Sequence, residues 1–214
     1  MIVPLIGIKR LCMETDGHGI TTLVAFHGCP LRCKYCLNPN CLKDNGVKMH
    51  LSIEEIMNIV KKDELYYIAT NGGLTFGGGE PLLYYSAINS IMGLGASRWH
   101  TTLETSLNVP QTFLESVMPY IDEFIVDIKD MNPIIYKSYT GKNNNKVIRN
   151  LRWLVKQGKS DRITVRVPLI EDFNTDEDRK HSCHELKKMG LTRFDLFEYI
   201  TNIYDKRDGR KKEM

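Results

Sequence analysis

The chain has 214 residues, 42% hydrophobic and 26% charged, a composition that suits one globular domain able to bury its core without disulfide staples. Its formal net charge of +3 is too small to argue for nucleic acid or an anionic membrane as partner, and no apolar run approaches the roughly 20 residues that span a bilayer. The first ten residues carry no basic leader and no small-residue cleavage site, so a cytoplasmic location is expected.

Beyond them, short apolar runs alternate with helical patterns, the mark of βα units around a parallel sheet. The first strand is expected over residues 21–27 and leads into a cysteine-bearing loop, 27–37. Ser52-Ile53-Glu54-Glu55 reads as a capping box that opens a helix to about residue 62. Strands over 74–78, 100–105, 123–128 and 162–169 then alternate with helices over 81–94, 110–120, 145–157 and 175–189. Gly190 closes the last helix, a sixth strand covers 193–199, and the basic stretch from about 205 to the end reads as a flexible, solvated tail. The whole is read as a single domain over 1–214. Six βα repeats fall two short of a closed eight-stranded barrel, and an open doubly wound sheet would share the same local pattern.

Polar residues recur at the C-terminal ends of these strands: Glu80, Glu104 with Thr105, Asp127 with Lys129, Arg166, and Glu198. That end carries the chemistry in parallel βα architectures, however the sheet is wound. Any one of these residues alone reads as a surface charge or a structural ion pair. Five strand ends in succession argue for a site. Asp127 and Lys129, two apart, are expected on one side of their strand.

The loop after the first strand holds Cys29, Cys33 and Cys36 in a C-x3-C-x2-C spacing. In a reducing compartment such crowding points to metal rather than cystines. Thiolates suit both iron–sulfur clusters and zinc. A structural zinc site or an ordinary 4Fe–4S cluster wants a fourth close ligand, which Cys41 could supply; three thiolates alone leave one iron open to a substrate. Cys12, Cys41 and Cys183 read as spare thiols, because no second C-x2-C pattern accompanies them.

This spacing, with aromatic Tyr35 before the last cysteine, resembles the signature of the radical S-adenosylmethionine (SAM) superfamily. Gly77-Gly78-Gly79-Glu80-Pro81 resembles that superfamily's Gly-Gly-Glu-Pro turn, whose backbone and glutamate would receive the methionine amino group of SAM. Asp16-Gly17-His18-Gly19-Ile20, Asp127-Ile128-Lys129 and Arg166-Val167-Pro168-Leu169-Ile170 are similar to segments of the enzymes that activate glycyl radical enzymes, with His18 where those have Pro and Ile200 where the pyruvate formate-lyase activase has a histidine. The resemblance implies an α/β fold, a partial (β/α)6 TIM-like barrel with parallel strands. It implies one 4Fe–4S cluster on Cys29, Cys33 and Cys36, and SAM held by Tyr35, Gly77, Gly78, Gly79, Glu80, Glu104, Thr105, Asp127, Lys129 and Arg166. Asp127 and Lys129 would also be catalytic. It further implies a monovalent-cation site at Glu104, Thr105 and Asp127, with Glu104 where relatives often have Asp. The implied partners are a glycyl radical enzyme as protein substrate and a low-potential flavodoxin or ferredoxin as electron donor. A peptide-modifying epimerase or maturase, an activase of anaerobic ribonucleotide reductase, and a non-catalytic iron–sulfur or zinc module are the competing readings.

Overall fold

One sheet organises the chain: β1 (Ile2–Met13), β2 (Ile20–Phe26), β3 (Met49–Ser52), β4 (Gly73–Gly78), β5 (His100–Thr105), β6 (Glu123–Asp127), β7 (Ile163–Leu169) and β8 (Arg193–Glu198). The structure is a computed structural model and describes residues 1–13 and 17–199; Asp16, Ile200 and the basic tail lie outside the described residues. The strand order is β3-β1-β2-β4-β5-β6-β7-β8. From β2 to β8 every pairing is parallel and every neighbour is the next parallel strand in sequence. A doubly wound sheet reverses its strand order at a switch point. Here there is no reversal, so each crossover steps the same way and the sheet curls as an open, partial barrel.

The six expected strands are present within a residue or two of their expected ends. Two further strands, β1 and β3, are antiparallel additions on the β2 edge. Pro4 and Gly7 interrupt the apolar alternation of β1, and β3 has only four residues, which is why neither reads clearly from the sequence. The helices are α1 (Ile53–Val60), α2 (Glu64–Thr70), α3 (Tyr85–Gly93), α4 (Gln111–Val117), α5 (Pro133–Thr140), α6 (Asn145–Lys156) and α7 (Asp176–Lys188). None of the described helices is long and apolar enough to cross a membrane.

Local chemistry explains their ends. Ser52 Oγ accepts from the Glu55 amide at 3.2 Å while Glu55 Oε2 accepts from the Ser52 amide at 2.7 Å, the capping box expected for α1. Pro119 stops α4 at Val117, three residues before the expected end, because a helix cannot continue through a residue without an amide proton. The expected helix at 81 begins instead as a 3-10 turn, Pro81–Tyr84, and becomes α-helical only at Tyr85. α5 starts on Asn132-Pro133 and ends at Gly141 with φ of 74°, signals of a helix whose interior of aromatic and β-branched residues obscures it.

Near the N-terminal ends of the parallel strands lies a clasp. The side chain of Asp63, fully buried, accepts two hydrogen bonds from the Arg10 guanidinium at 2.5 and 2.8 Å and one from Thr22 Oγ1 at 3.0 Å. Tyr67 in turn donates to Thr22 at 2.6 Å. The antiparallel strand β1 is thereby tied to α2 and the first parallel strand. The Arg10 hydrogen bonds hold the Asp63 carboxyl below the usual carboxylate range. A depressed folded pKa stabilises above the unfolded value and ceases to do so as acid protonates the folded carboxylate. Arg10→Gln should therefore unfold at lower urea than wild type at pH 7, and the gap should narrow as the pH falls below about 3.9, measured as paired urea midpoints across that range.

Candidate active site

The C-terminal ends of the parallel strands open onto a cavity of about 390 Å³, within the range of small-molecule sites. Cys29, Cys33 and Cys36 form one wall. Gly78, Gly79, Glu104, Thr105, Asp127, Lys129 and Arg166, on or just beyond β4, β5, β6 and β7, line much of the rest, with Lys9, Ser106, Asn38, Cys41 and Tyr199. A depression of about 490 Å³ between α4 and α6 lies on the outer surface and holds none of these groups.

The cysteine loop is fixed by its backbone. The Gly28 amide donates to Cys41 O at 2.9 Å, Arg32 N to Thr140 O at 2.9 Å and Lys34 N to Tyr139 O at 3.2 Å. The Arg32 guanidinium turns back onto Cys29 O at 2.7 Å and Leu31 O at 2.9 Å. Burial pushes the Cys29 thiol up to about 12 and the Cys33 thiol up to about 11. Cys36 is lowered to about 6, chiefly by a hydrogen bond with the Cys41 thiol beside it. Among the described residues no three His, Cys, Asp or Glu side chains converge tightly enough to hold a single metal ion. The three loop thiols line one wall of the cavity, and soft thiolate ligands of this kind suit an iron–sulfur cluster.

The glycine turn after β4 packs against this loop. Gly79 N donates to Phe26 O at 2.9 Å and Glu80 N to Gly28 O at 2.8 Å. A Cβ on Gly79 would sit 2.1 Å from Gly28 O, and Gly78 has φ of +91°, so neither position tolerates a side chain.

Glu80 departs from expectation. It is fully buried and does not line the cavity. Its Oε1 accepts from Thr105 Oγ1 at 2.7 Å and Leu82 N at 3.3 Å, and its Oε2 from Ser106 N at 2.9 Å and Ser106 Oγ at 2.6 Å. Burial raises its pKa, and these four donors oppose the rise. A carboxylate offers about four lone-pair sites. All are taken by protein donors, which leaves the backbone of Gly78 and Gly79, and not this side chain, facing the cavity.

Tyr35 and Gly77 also lie off the cavity wall. Tyr35 packs against Tyr139 and Phe173, with ring centroids 6.2 and 5.9 Å away, and donates to Asp172 at 3.3 Å, so it anchors the loop. Gly77 makes room for its neighbour, since a Cβ there would lie 2.8 Å from Glu104 Oε2. Lys129 is not in β6, which ends at Asp127, but has φ of +56° in the turn beyond. Its Nζ nevertheless reaches Asp127 Oδ2 at 2.8 Å and Tyr199 Oη at 3.1 Å. Burial opposes the charge on Lys129, but Asp127 and then Tyr199 and Cys33 outweigh it and hold its pKa well above the ordinary value. Tyr199 and Ser106 join the site unforeseen, their placement just beyond β8 and β5 being the available signal, and Cys41, weighed as a fourth ligand and then read as a spare thiol, stands beside Cys36.

The model of the radical SAM superfamily matches residues 23–194. The chain belongs to this superfamily. It is 30% identical to the (2S)-3-sulfopropanediol dehydratase activating enzyme of Klebsiella oxytoca over 80% of this chain and 73% of that one. It is 27% identical to the indoleacetate decarboxylase activating enzyme of Tractidigestivibacter scatoligenes over 76% and 72%. These relatives set it in the branch of activating enzymes for glycyl radical enzymes. The fold is also that of Streptococcus suis SuiB bound to S-adenosylmethionine, with a TM-score of 0.62 at 16% identity; the match covers 80% of this chain and 38% of SuiB. Radical SAM proteins use a 4Fe–4S cluster and SAM.

Two predictions follow from the geometry. Glu80→Gln sets an amide NH2 against buried donors and orphans at least one of them, so urea unfolding should show a loss of about 1–3 kcal/mol. Cys41→Ala, reconstituted anaerobically, should keep the wild-type iron-to-protein ratio; a loss as deep as that of Cys36→Ala would make Cys41 a ligand.

Proposed function

We propose that this radical SAM protein makes a glycyl radical on a partner enzyme, with Cys29, Cys33 and Cys36 holding its cluster and residues 1–199 acting as one catalytic unit. The observation that carries this reading is the meeting of three loop thiols and four charged strand-end side chains across one cavity. When bound, a reduced 4Fe–4S cluster supplies the electron that splits SAM into methionine and the 5′-deoxyadenosyl radical, which takes a hydrogen from a glycine α-carbon.

The protein binds and orients. Carbonyl groups of the Gly78–Gly79 turn accept from the amino group of SAM. Lys129, kept cationic by Asp127, faces its carboxylate, and Arg166 with Glu104 lines the approach to its nucleoside. Glycine suits the partner role because its amide nitrogen and carbonyl delocalise the spin and no side chain blocks access. The open side of a six-stranded parallel barrel admits an extended peptide loop that a closed barrel would exclude. A low-potential flavodoxin or ferredoxin in the cytoplasm supplies the electron.

The test is anaerobic reconstitution followed by reduction with SAM present. Release of 5′-deoxyadenosine, abolished in Cys33→Ala, supports the chemistry, and a glycyl doublet in the EPR spectrum of an added candidate enzyme supports the partner. Release without any protein radical on any glycyl radical enzyme of the source would sink the partner assignment. Lys129→Met should weaken SAM binding at least tenfold, about 1.4 kcal/mol, as read by calorimetry on the unreduced holoprotein.

A further inference from the structure

The oxygens that would ligate a monovalent cation beside SAM are Glu104, Thr105 and Asp127, at the ends of β5 and β6. In this chain each is already engaged by the protein. Arg166 Nη1 donates to Glu104 Oε1 at 2.8 Å, and Lys129 Nζ donates to Asp127 Oδ2 at 2.8 Å. Thr105 Oγ1 gives its proton to Glu80 at 2.7 Å and accepts from the Leu107 amide at 2.9 Å. The residues present do not fit an added alkali ion.

We infer that this enzyme binds SAM without a monovalent cation, because the Arg166 guanidinium on Glu104 and the Lys129 ammonium on Asp127 take the ion's place. The inference rests on the SAM reading of the cavity.

Side-chain length makes the substitution possible. Glu104 lies on β5 and Arg166 on β7, with β6 between them; Glu104 is level with Ile125, and Ile125 with Thr164, so Arg166 stands two residues further along. Two strand spacings are roughly 10 Å. Glutamate's extra methylene shortens the diagonal that the long arginine has to cover, and an aspartate would draw the carboxylate back from it. Gly77 completes the arrangement, since any side chain there would strike Glu104 Oε2. Arg166 is held from its other edge by Asp195 Oδ2, 3.3 Å from Nε, so its guanidinium is fixed over Glu104. Glu104 and Asp127 thus each hold a fixed cation, with Arg166 shared between Glu104 and Asp195. A third positive charge beside these carboxylates would meet the repulsion of both the guanidinium and the ammonium.

The experiment measures the SAM dissociation constant of the unreduced, cluster-loaded protein by calorimetry. Buffers of equal ionic strength contain KCl, NaCl or N-methyl-D-glucamine chloride. The three constants should agree within about twofold. Glu104→Asp, which draws the carboxylate back from Arg166, should bind SAM more weakly in N-methyl-D-glucamine and recover at least fivefold on addition of KCl or NaCl. Arg166→Gln, which takes the guanidinium charge away from Glu104 at unchanged carboxylate length, should do the same and serves if the first variant fails to melt like wild type. A wild-type affinity that falls tenfold in N-methyl-D-glucamine and returns saturably with K⁺ or Na⁺ overturns the inference. So does a pair of folded variants as indifferent to cations as wild type. Binding in none of the three salts removes the SAM reading and this inference with it, an outcome distinct from a salt-dependent affinity.

Discussion

A single buried carboxylate fixes the geometry of the mouth. Glu80 leaves the glycine turn after β4, enters the protein rather than the cavity, and gathers hydrogen bonds from Thr105 and Ser106 at the end of β5 and from Leu82 at the start of the following helical turn. Thr105 and Ser106 accept in turn from the amides of Leu107 and Asn108. Backbone amides therefore polarise hydroxyls, and hydroxyls solvate the carboxylate, with no lysine or arginine among its direct partners. Such chains strengthen one another in a low dielectric. Because the Glu80 amide also binds Gly28 O, the one residue sets the cysteine loop, the glycine turn and the β5 end at fixed separations.

On that frame the cavity arranges charge in matched pairs. Arg166 with Glu104 and Lys129 with Asp127 leave little net charge between them, yet present both signs to the cavity. The parallel register produces the proximity: Asp127 is level with Arg166 on the adjacent strand, and Glu104 lies one strand further. Ion pairs half-screened from water are worth more in holding side-chain orientation than in stability, since desolvation offsets much of the attraction. Orientation is what a site that must guide a radical requires.

The parallel strands were legible because burial on both faces forces uninterrupted apolar runs, such as Phe124-Ile125-Val126, and because polar residues follow each run. β1 was not, since Pro4 and Gly7 break its alternation and its antiparallel pairing with β2 shifts register twice. The cysteines were legible from spacing alone. The direction of a side chain was not. Tyr35, Gly77 and Glu80 fall within motifs that sequence assigns wholesale to the cofactor, while the structure gives them to anchoring, clearance and scaffolding. Cys41 is adjacent to Cys36 only because the intervening turn folds back through the Gly28 amide, a tertiary fact without a local pattern. The sequential strand order likewise needed the sheet itself, since βα periodicity is common to barrels and doubly wound sheets.

Lys129 joins these threads. A lysine at φ of +56° is held at a cost of order 1–3 kcal/mol, which persists only where the surroundings over-determine it. Strand alternation would also have set Lys129 on the side of Asp127, but the left-handed turn instead folds its ammonium back within 2.8 Å of Asp127, and Tyr199 Oη accepts a second hydrogen bond from it at 3.1 Å. Tyr199 follows β8, the last strand of the sheet. Its own backbone amide is held by Leu169 O at 3.1 Å. The placement of this buried ammonium thus depends on a residue that follows the edge strand of an unclosed barrel.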